Sequence, residues 1–281
     1  MGKIFEALEK ASRQTRQKDA ASAKGKRKGS SRQSNNANVV PFANLKNSVM
    51  NLEFDSSLVA FHDPHSVEAE LFKVLRTNLL FPAKGRPPKS IMVTSAVPGE
   101  GKSFVTANLA ISIANGVEEH VLLIDADVRR PRIHQFFGLG QTGGLSDYLT
   151  TGSNVSKHLI KTPVDKLTIL PAGLPPANPT ELLTTQKMKA LLQEVSGRYE
   201  DRYIIIDSAP YSVASETAAL ANYVDGFIIV VRAGKTPRKA VTEVIEHLGK
   251  EKVLGIILNH SDQTAKKYYG YGKSYYSHTE Q

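Results

Sequence analysis

The sequence contains no cysteine. That excludes disulfides and thiolate metal sites and suits a reducing cytoplasm. It also contains no run approaching the roughly 18–20 apolar residues that a membrane-spanning helix needs, and its basic N-terminus is not followed by an apolar secretory core. The chain is therefore expected to be soluble or peripheral, brought to any membrane by a partner. Charge is scarce through the middle of the chain. The formal net charge of +9 resides largely in the first 37 residues, where ten cations face only Glu6, Glu9 and Asp19. The central region is nearly neutral, so no nucleic-acid-binding face is expected on it.

Three regions follow from composition. Residues 1–47 form a basic N-terminal tail, expected to be largely disordered because it is rich in Lys, Arg, Gln, Ser and Asn and lacks apolar periodicity. At its start Ile4, Phe5 and Leu8 share one helical face, which reads either as a short docking helix or as a frayed terminus. Residues 262–281 form a second tail, rich in tyrosine. Residues 48–261 are expected to fold as one domain.

Within it, Ser66 caps a predicted helix with Val67, Leu71, Val74, Leu75 and Leu79 at helical spacing. Apolar, β-branched runs at 90–96, 120–127, 166–172, 202–209, 226–233 and 253–259 alternate with helix-like segments at 102–116, 182–197, 214–222 and 237–249. Strands that are apolar throughout are expected to be parallel and covered on both faces. The fold class is a doubly wound, mostly parallel α/β sheet.

The first of these strands runs into Ala96-Val-Pro98-Gly99-Glu100-Gly101-Lys102-Ser103-Phe104 and then a helix. Strand, glycine loop and helix N-terminus together form the setting of a P-loop. Glycines let backbone N–H groups converge on phosphate oxygens, and the helix dipole favours their charge. Residues 98–104 are the candidate nucleotide cradle. Lys102 is placed to reach the β- and γ-phosphates of ATP, and the Ser103 hydroxyl to ligate Mg2+. Ala96 stands where the general pattern has its first glycine.

Asp125 and Asp127 end a second strand, and Asp207 ends a third. One such Asp reads equally well as a turn or helix cap. Three at the same edge of a parallel sheet point to a metal and phosphate site. Asp207, with Ser103 and Asp125, is a candidate for holding the metal. Arg129, Arg130 and Arg132 read first as a solvated loop, with phosphate or an acidic partner as the alternative.

In this order, SAVPGEGKS, VLLIDADVRRPR and YIIIDSAP resemble the Walker A, A′ and B motifs of bacterial tyrosine autokinases, the BY-kinases of capsule and exopolysaccharide systems. The likeness runs from about residue 60 to the C-terminus. It places the chain among P-loop NTPases of the deviant Walker-A, partition-ATPase-like group. It implies a protein-tyrosine kinase of stand-alone type that uses ATP and Mg2+, with Lys102, Asp125 and Asp127 as catalytic residues and Asn259 on the nucleotide. It further implies a homo-oligomeric ring built through Glu70, Lys73 and Arg76, where Lys73 departs from the usual Arg and lacks its bidentate fork. A membrane-bound activator of the polysaccharide co-polymerase type, a tyrosine phosphatase, and a cytoplasmic position at the inner membrane face are implied as well. Walker B reads DSAP rather than the commoner DTPP, a modest departure.

The C-terminal tail supports this reading independently. Tyr268, Tyr269, Tyr271, Tyr275 and Tyr276 place half of the ten tyrosines in one Gly-containing segment without an apolar period. They are the expected autophosphorylation sites. An aggregation-prone or RNA-stacking tail is the blander reading. From Asn259, about 10–17 residues at up to roughly 3.3 Å each would span some 30–55 Å, enough for the chain's own site or a neighbour's. The rival function is a non-kinase ATPase switch of the partition or septum type. Those proteins carry a second lysine early in the P-loop, where this chain has Val97. An adaptor that binds ATP without turnover is the third reading.

Overall fold

The computed structural model describes residues 52–197 and 201–261. Both tails, with the predicted docking helix and the five tail tyrosines, lie outside the described residues. In chain order the elements are α1 (Val59–His62), α2 (Val67–Leu80), β1 (Ser90–Ser95), α3 (Lys102–Ala114), β2 (His120–Asp125), α4 (Ile133–Phe136), α5 (Leu145–Thr151), β3 (Ile160–Lys161) and β4 (Leu167–Leu170), followed by α6 (Pro179–Leu183), α7 (Gln186–Gly197), β5 (Arg202–Asp207), α8 (Glu216–Tyr223), β6 (Gly226–Arg232), α9 (Arg238–Leu248) and β7 (Val253–Asn259). The strands form one seven-stranded sheet in the order β3-β4-β2-β5-β1-β6-β7, parallel except for the antiparallel β3–β4 pair.

Continuous apolar strands serve two cores at once. Along β1, Ile91 and Val93 face a cluster with Leu109 and Ile113 of α3, while Met92 faces another with Leu191 of α7 and Leu220 of α8. Every residue of β1 is buried. The chain leaves β1 through α3 on one face and reaches β6 through α8 on the other. The strand order therefore reverses beside β1, which opens a ligand crevice at the carboxyl ends there.

Helix α3 is buried nearly all round, because α2 covers its outer side; the Phe72 and Phe104 rings meet at 5.9 Å. The predicted Ser66 cap is in place, its side chain accepting the Ala69 N–H at 3.2 Å. All six predicted strands are present. The short β3, α4 and α5 have no counterpart in the sequence reading. The predicted helix at 182–197 begins earlier and breaks in two. Thr184 and Thr185 donate their hydroxyls back to carbonyls at 180–182, and Thr185 then accepts the Met188 N–H at 3.3 Å, capping α7.

Candidate functional site

The P-loop backbone turns through two left-handed glycines, Gly99 at φ +83° and Gly101 at φ +88°. Gly101 is required twice over. A Cβ there would lie 2.1 Å from Asn259 Nδ2, which itself donates to the Glu100 carbonyl at 2.9 Å. Asn259 thus anchors the loop from the end of β7.

The Glu100 side chain is turned into the scaffold and is only 1 % exposed. It accepts the Val97 N–H at 2.9 Å, the Arg232 N–H at 3.3 Å and the Thr236 hydroxyl. Its carboxylate thus splints the loop to β6, which leaves the backbone of Glu100 for the cradle. Pro98 and Gly99 form the exposed crest of the loop, and the Phe104 ring packs on α2 rather than toward the crest.

Four charged side chains converge beneath this loop. Lys102 opens α3, and its Nζ donates to Asp127 Oδ2 at 2.7 Å, lies 3.3 Å from Ser103 Oγ, and stands 3.8 Å from Asp207 Oδ2. Asp125 and Asp207 are register partners on adjacent strands, and both are fully buried. Burial first, then the neighbouring Asp207 charge, pushes the Asp125 carboxyl well above its usual range. Burial also raises Asp207, against the opposing pull of Lys102. For Lys102 burial works against the ammonium, but Asp207 and Asp127 outweigh it and raise the pKa.

The two Walker A′ carboxylates differ in how they are used. Asp125 accepts the Asp127 N–H on Oδ1 and the Arg132 and Ile133 N–H groups on Oδ2, at 3.1–3.2 Å, so it holds the following loop together. Asp127 accepts only the Arg130 N–H on Oδ1 and turns Oδ2 to Lys102. Asp207 Oδ1 lies 3.1 Å from the Thr106 hydroxyl, whereas its Oδ2 is buried without a hydrogen-bond partner. An orphaned carboxylate oxygen beside the Ser103 hydroxyl is the donor set that a hard cation such as Mg2+ takes, with phosphate and water completing the shell. The residues present fit the ion.

Thr106 was not singled out in the sequence. The signal was available, because it follows Lys102 by four residues and shares its helix face. The Arg129 guanidinium, expected in a solvated loop, is gripped by Glu216, a partner 87 positions away that no local pattern announces. Arg132 donates to Gln135 at 2.9 Å. In the candidate oligomer motif on α2, Lys73 pairs with Glu70 at 2.7 Å, while Arg76 donates to the Ser112 carbonyl at 2.8 Å. Leu71 and Val74 of the same helix are about half exposed.

A family model described as ParA, the NUBPL iron-transfer P-loop NTPase, matches residues 87–278. The chain is 36 % identical over 217 residues to the tyrosine-protein kinase YwqD of Bacillus subtilis, spanning 76 % of this chain and 90 % of that one. Among solved structures it is similar to the kinase domain of the Escherichia coli tyrosine kinase ETK, with TM-score 0.66 and 32 % identity over 72 % of this chain and 79 % of that domain. It is equally similar to the chimerical protein CapA2B2, with TM-score 0.66 and 31 % identity over 75 % and 92 %.

Proposed function

The chain belongs to the bacterial tyrosine-protein kinase family, and from that premise we propose that it phosphorylates the tyrosines of its own C-terminal tail with Asp127 as the acceptor-side base. The observation that carries the base assignment is the division between the two Walker A′ carboxylates. Asp125 is committed to three backbone amides, while Asp127 keeps one oxygen directed at Lys102.

In this reading the hydroxyl of Tyr268, Tyr269, Tyr271, Tyr275 or Tyr276 attacks the γ-phosphorus of ATP in line. The new bond joins the phenolic oxygen to phosphorus, and the bond to the β–γ bridging oxygen breaks as ADP leaves. The phenolic proton, with an ordinary pKa near 10, passes to Asp127. Lys102 exchanges the Asp127 carboxylate for phosphate oxygens, so nucleotide binding itself frees the base. Ser103 and Asp207 would hold Mg2+, which neutralises charge on the transferring group. The loop amides and the α3 N-terminus stabilise the same charge. Asn259 fixes the loop from the β7 side, where the tail begins.

Each phosphate adds about −1.5 to −2 charges to a tail that carries Lys266, Lys267 and Lys273. Successive phosphorylation reverses the sign of the tail and loosens it from a phosphate-binding cleft. The kinase would thereby cycle between a ring assembled through Glu70, Lys73 and Arg76 and released subunits, with a phosphatase resetting the tail. The half-exposed Leu71 and Val74 beside that motif support a contact there. Among the described residues no helix is long and apolar enough to cross a membrane. A membrane-bound co-polymerase-type protein of a capsule or exopolysaccharide system would then recruit the kinase to the inner face of the cell membrane.

The test is intact mass with tyrosine-site mapping after incubation with ATP and Mg2+, beside Lys102→Met and a variant with all five tail tyrosines changed to Phe. Added phosphates confined to residues 268–276 and absent from both variants are expected. Phosphate retained by the five-Phe variant would move the substrate elsewhere.

A further inference from the structure

Glu216 is the first residue of α8 and is only 1 % exposed. Its two oxygens take both arms of the Arg129 fork, at 2.5 Å from Nε and 3.2 Å from Nη2. Thr180 completes the set, accepting from Arg129 Nη2 at 3.0 Å and donating to Glu216 Oε2 at 2.8 Å. The Arg129 side chain itself is 39 % exposed. A carboxylate removed from water is a costly way to hold a partly solvated cation, so stability alone is a weak reason for this arrangement.

The three residues belong to three elements. Arg129 follows β2 two residues after Asp127, Thr180 lies in the first turn of α6, and Glu216 opens the helix reached directly from the loop after Asp207. The clamp therefore fastens the Walker A′ loop to the Walker B side of the crevice from outside, while Asp125 staples it from inside. None of the three hydrogen-bonds to Gly99, Gly101, Lys102 or Ser103. Planar, bidentate recognition by Arg fixes angle as well as distance, and only Val128 separates Asp127 from the clamped residue. A misplacement of about 1 Å at the reacting groups can cost roughly 100-fold in rate.

We propose that Glu216, with Thr180, is a positioning residue for tyrosyl phosphoryl transfer, acting through Arg129 to fix the loop that presents Asp127. This rests on Asp127 being the acceptor-side carboxylate. The full chain is assayed for the autophosphorylation rate at saturating ATP, the KM for ATP, and the affinity for a fluorescent ADP analogue. Glu216→Gln and Arg129→Ala are each expected to lower the saturating rate by about tenfold or more, with KM and ADP affinity held within about threefold. Arg129→Lys is expected not to restore the rate, because the ammonium lacks the fork. The double variant is expected to be no slower than the slower single one, as members of one unit behave.

A saturating rate within twofold of wild type in both single variants would overturn the proposal. So would a parallel loss of ADP affinity, or multiplicative losses in the double variant. Should Glu216→Gln fail to fold, Arg129→Ala, at a partly exposed position, carries the same test. Asp127→Asn run alongside separates the two ideas. Full activity there defeats the base assignment, whereas an inactive Asp127→Asn beside a fully active Arg129→Ala defeats only the clamp.

Discussion

The two edges of the one sheet hold charge in opposite ways. At the amino ends of β2, β4 and β5 a cavity of about 380 Å³ is lined by His120, Lys161, Asp165, Lys166, Asp201 and Arg202. His120 and Asp201 stand 3.3 Å apart with side chains 42 % and 51 % exposed, and Lys166 donates to the Gly116 and Val117 carbonyls just past α3. At the carboxyl ends Lys102, Asp125, Asp127 and Asp207 are all at most 9 % exposed. A cavity by itself would point to the first edge. Solvated charges cost the fold little, however, and promise little chemistry. Three carboxylates kept out of water around one ammonium persist against a desolvation penalty of several kcal/mol per ion, the mark of a site that stability did not shape.

The most forceful way to break this contrast is to remove charge from the buried edge. Asp127→Asn is expected to slow autophosphorylation by about 10²–10⁴-fold, the usual weight of a positioned acid or base, as read by phosphotyrosine formation at saturating ATP. Asp207→Asn should lose roughly 100-fold or more, as expected of the proposed metal ligand. It should also make the protein more stable, with Tm raised by about 2–4 °C if roughly 1 kcal/mol of desolvation is relieved.

The sign follows from burial, which raises the Asp207 carboxyl from its ordinary 3.8 in the folded state. The folded form holds a proton that the unfolded form releases, so wild-type stability falls as pH rises through that interval. The variant's advantage should therefore be absent below the ordinary aspartate range and develop above it, a trend that urea titrations at stepped pH would record. An Asp207→Asn protein less stable than wild type at neutral pH would mean that burying this carboxylate costs the fold nothing.

How much of this was legible follows from the range of each interaction. The six apolar strands, the Ser66 cap and the P-loop are local patterns, each written within about a dozen consecutive residues, and each reads directly. Periodicity reads 182–197 as one helix because it does not register that two threonines back-bond to their own turn. The two-residue β3 exists only because β4 offers it a partner. Lys102, Ser103 and the three aspartates were visible because strand ends share an edge. The different duties of Asp125 and Asp127 were not, since they depend on the path of residues 128–133. The Glu100 splint to Thr236 and the Arg129–Glu216 pair join residues 136 and 87 positions apart, and no single-sequence pattern reports such separations.

Two glycines of one loop give a finer comparison. Gly99 and Gly101 both have left-handed backbones, but a Cβ at Gly99 meets nothing within 4 Å, whereas one at Gly101 runs into Asn259. Gly99→Ala should carry only the backbone strain, about 1 kcal/mol, with nucleotide affinity lowered a few-fold. Gly101→Ala must also displace the Asn259 amide from the Glu100 carbonyl. A loss of nucleotide affinity of about tenfold or more is expected, together with a lower Tm. Equal effects in a nucleotide titration would mean that Asn259 yields freely and does not anchor the loop.

The smallest expected effect lies at the other edge. His120→Ala removes the 3.3 Å contact with Asp201 and part of the wall of the amino-edge cavity, yet both partners are about half exposed, and even a charged pair at such exposure contributes about 0–1 kcal/mol. The autophosphorylation rate, KM for ATP and ADP affinity should each stay within twofold of wild type, and the unfolding midpoint should move by no more than about 4 °C. The contrast between the edges depends on this quiet result as much as on the losses at Asp127. If His120→Ala instead slowed autophosphorylation fivefold or more with nucleotide affinity intact, the solvated edge would have to carry part of the function. Exposure of a charge would then no longer separate the edge that works from the edge that does not.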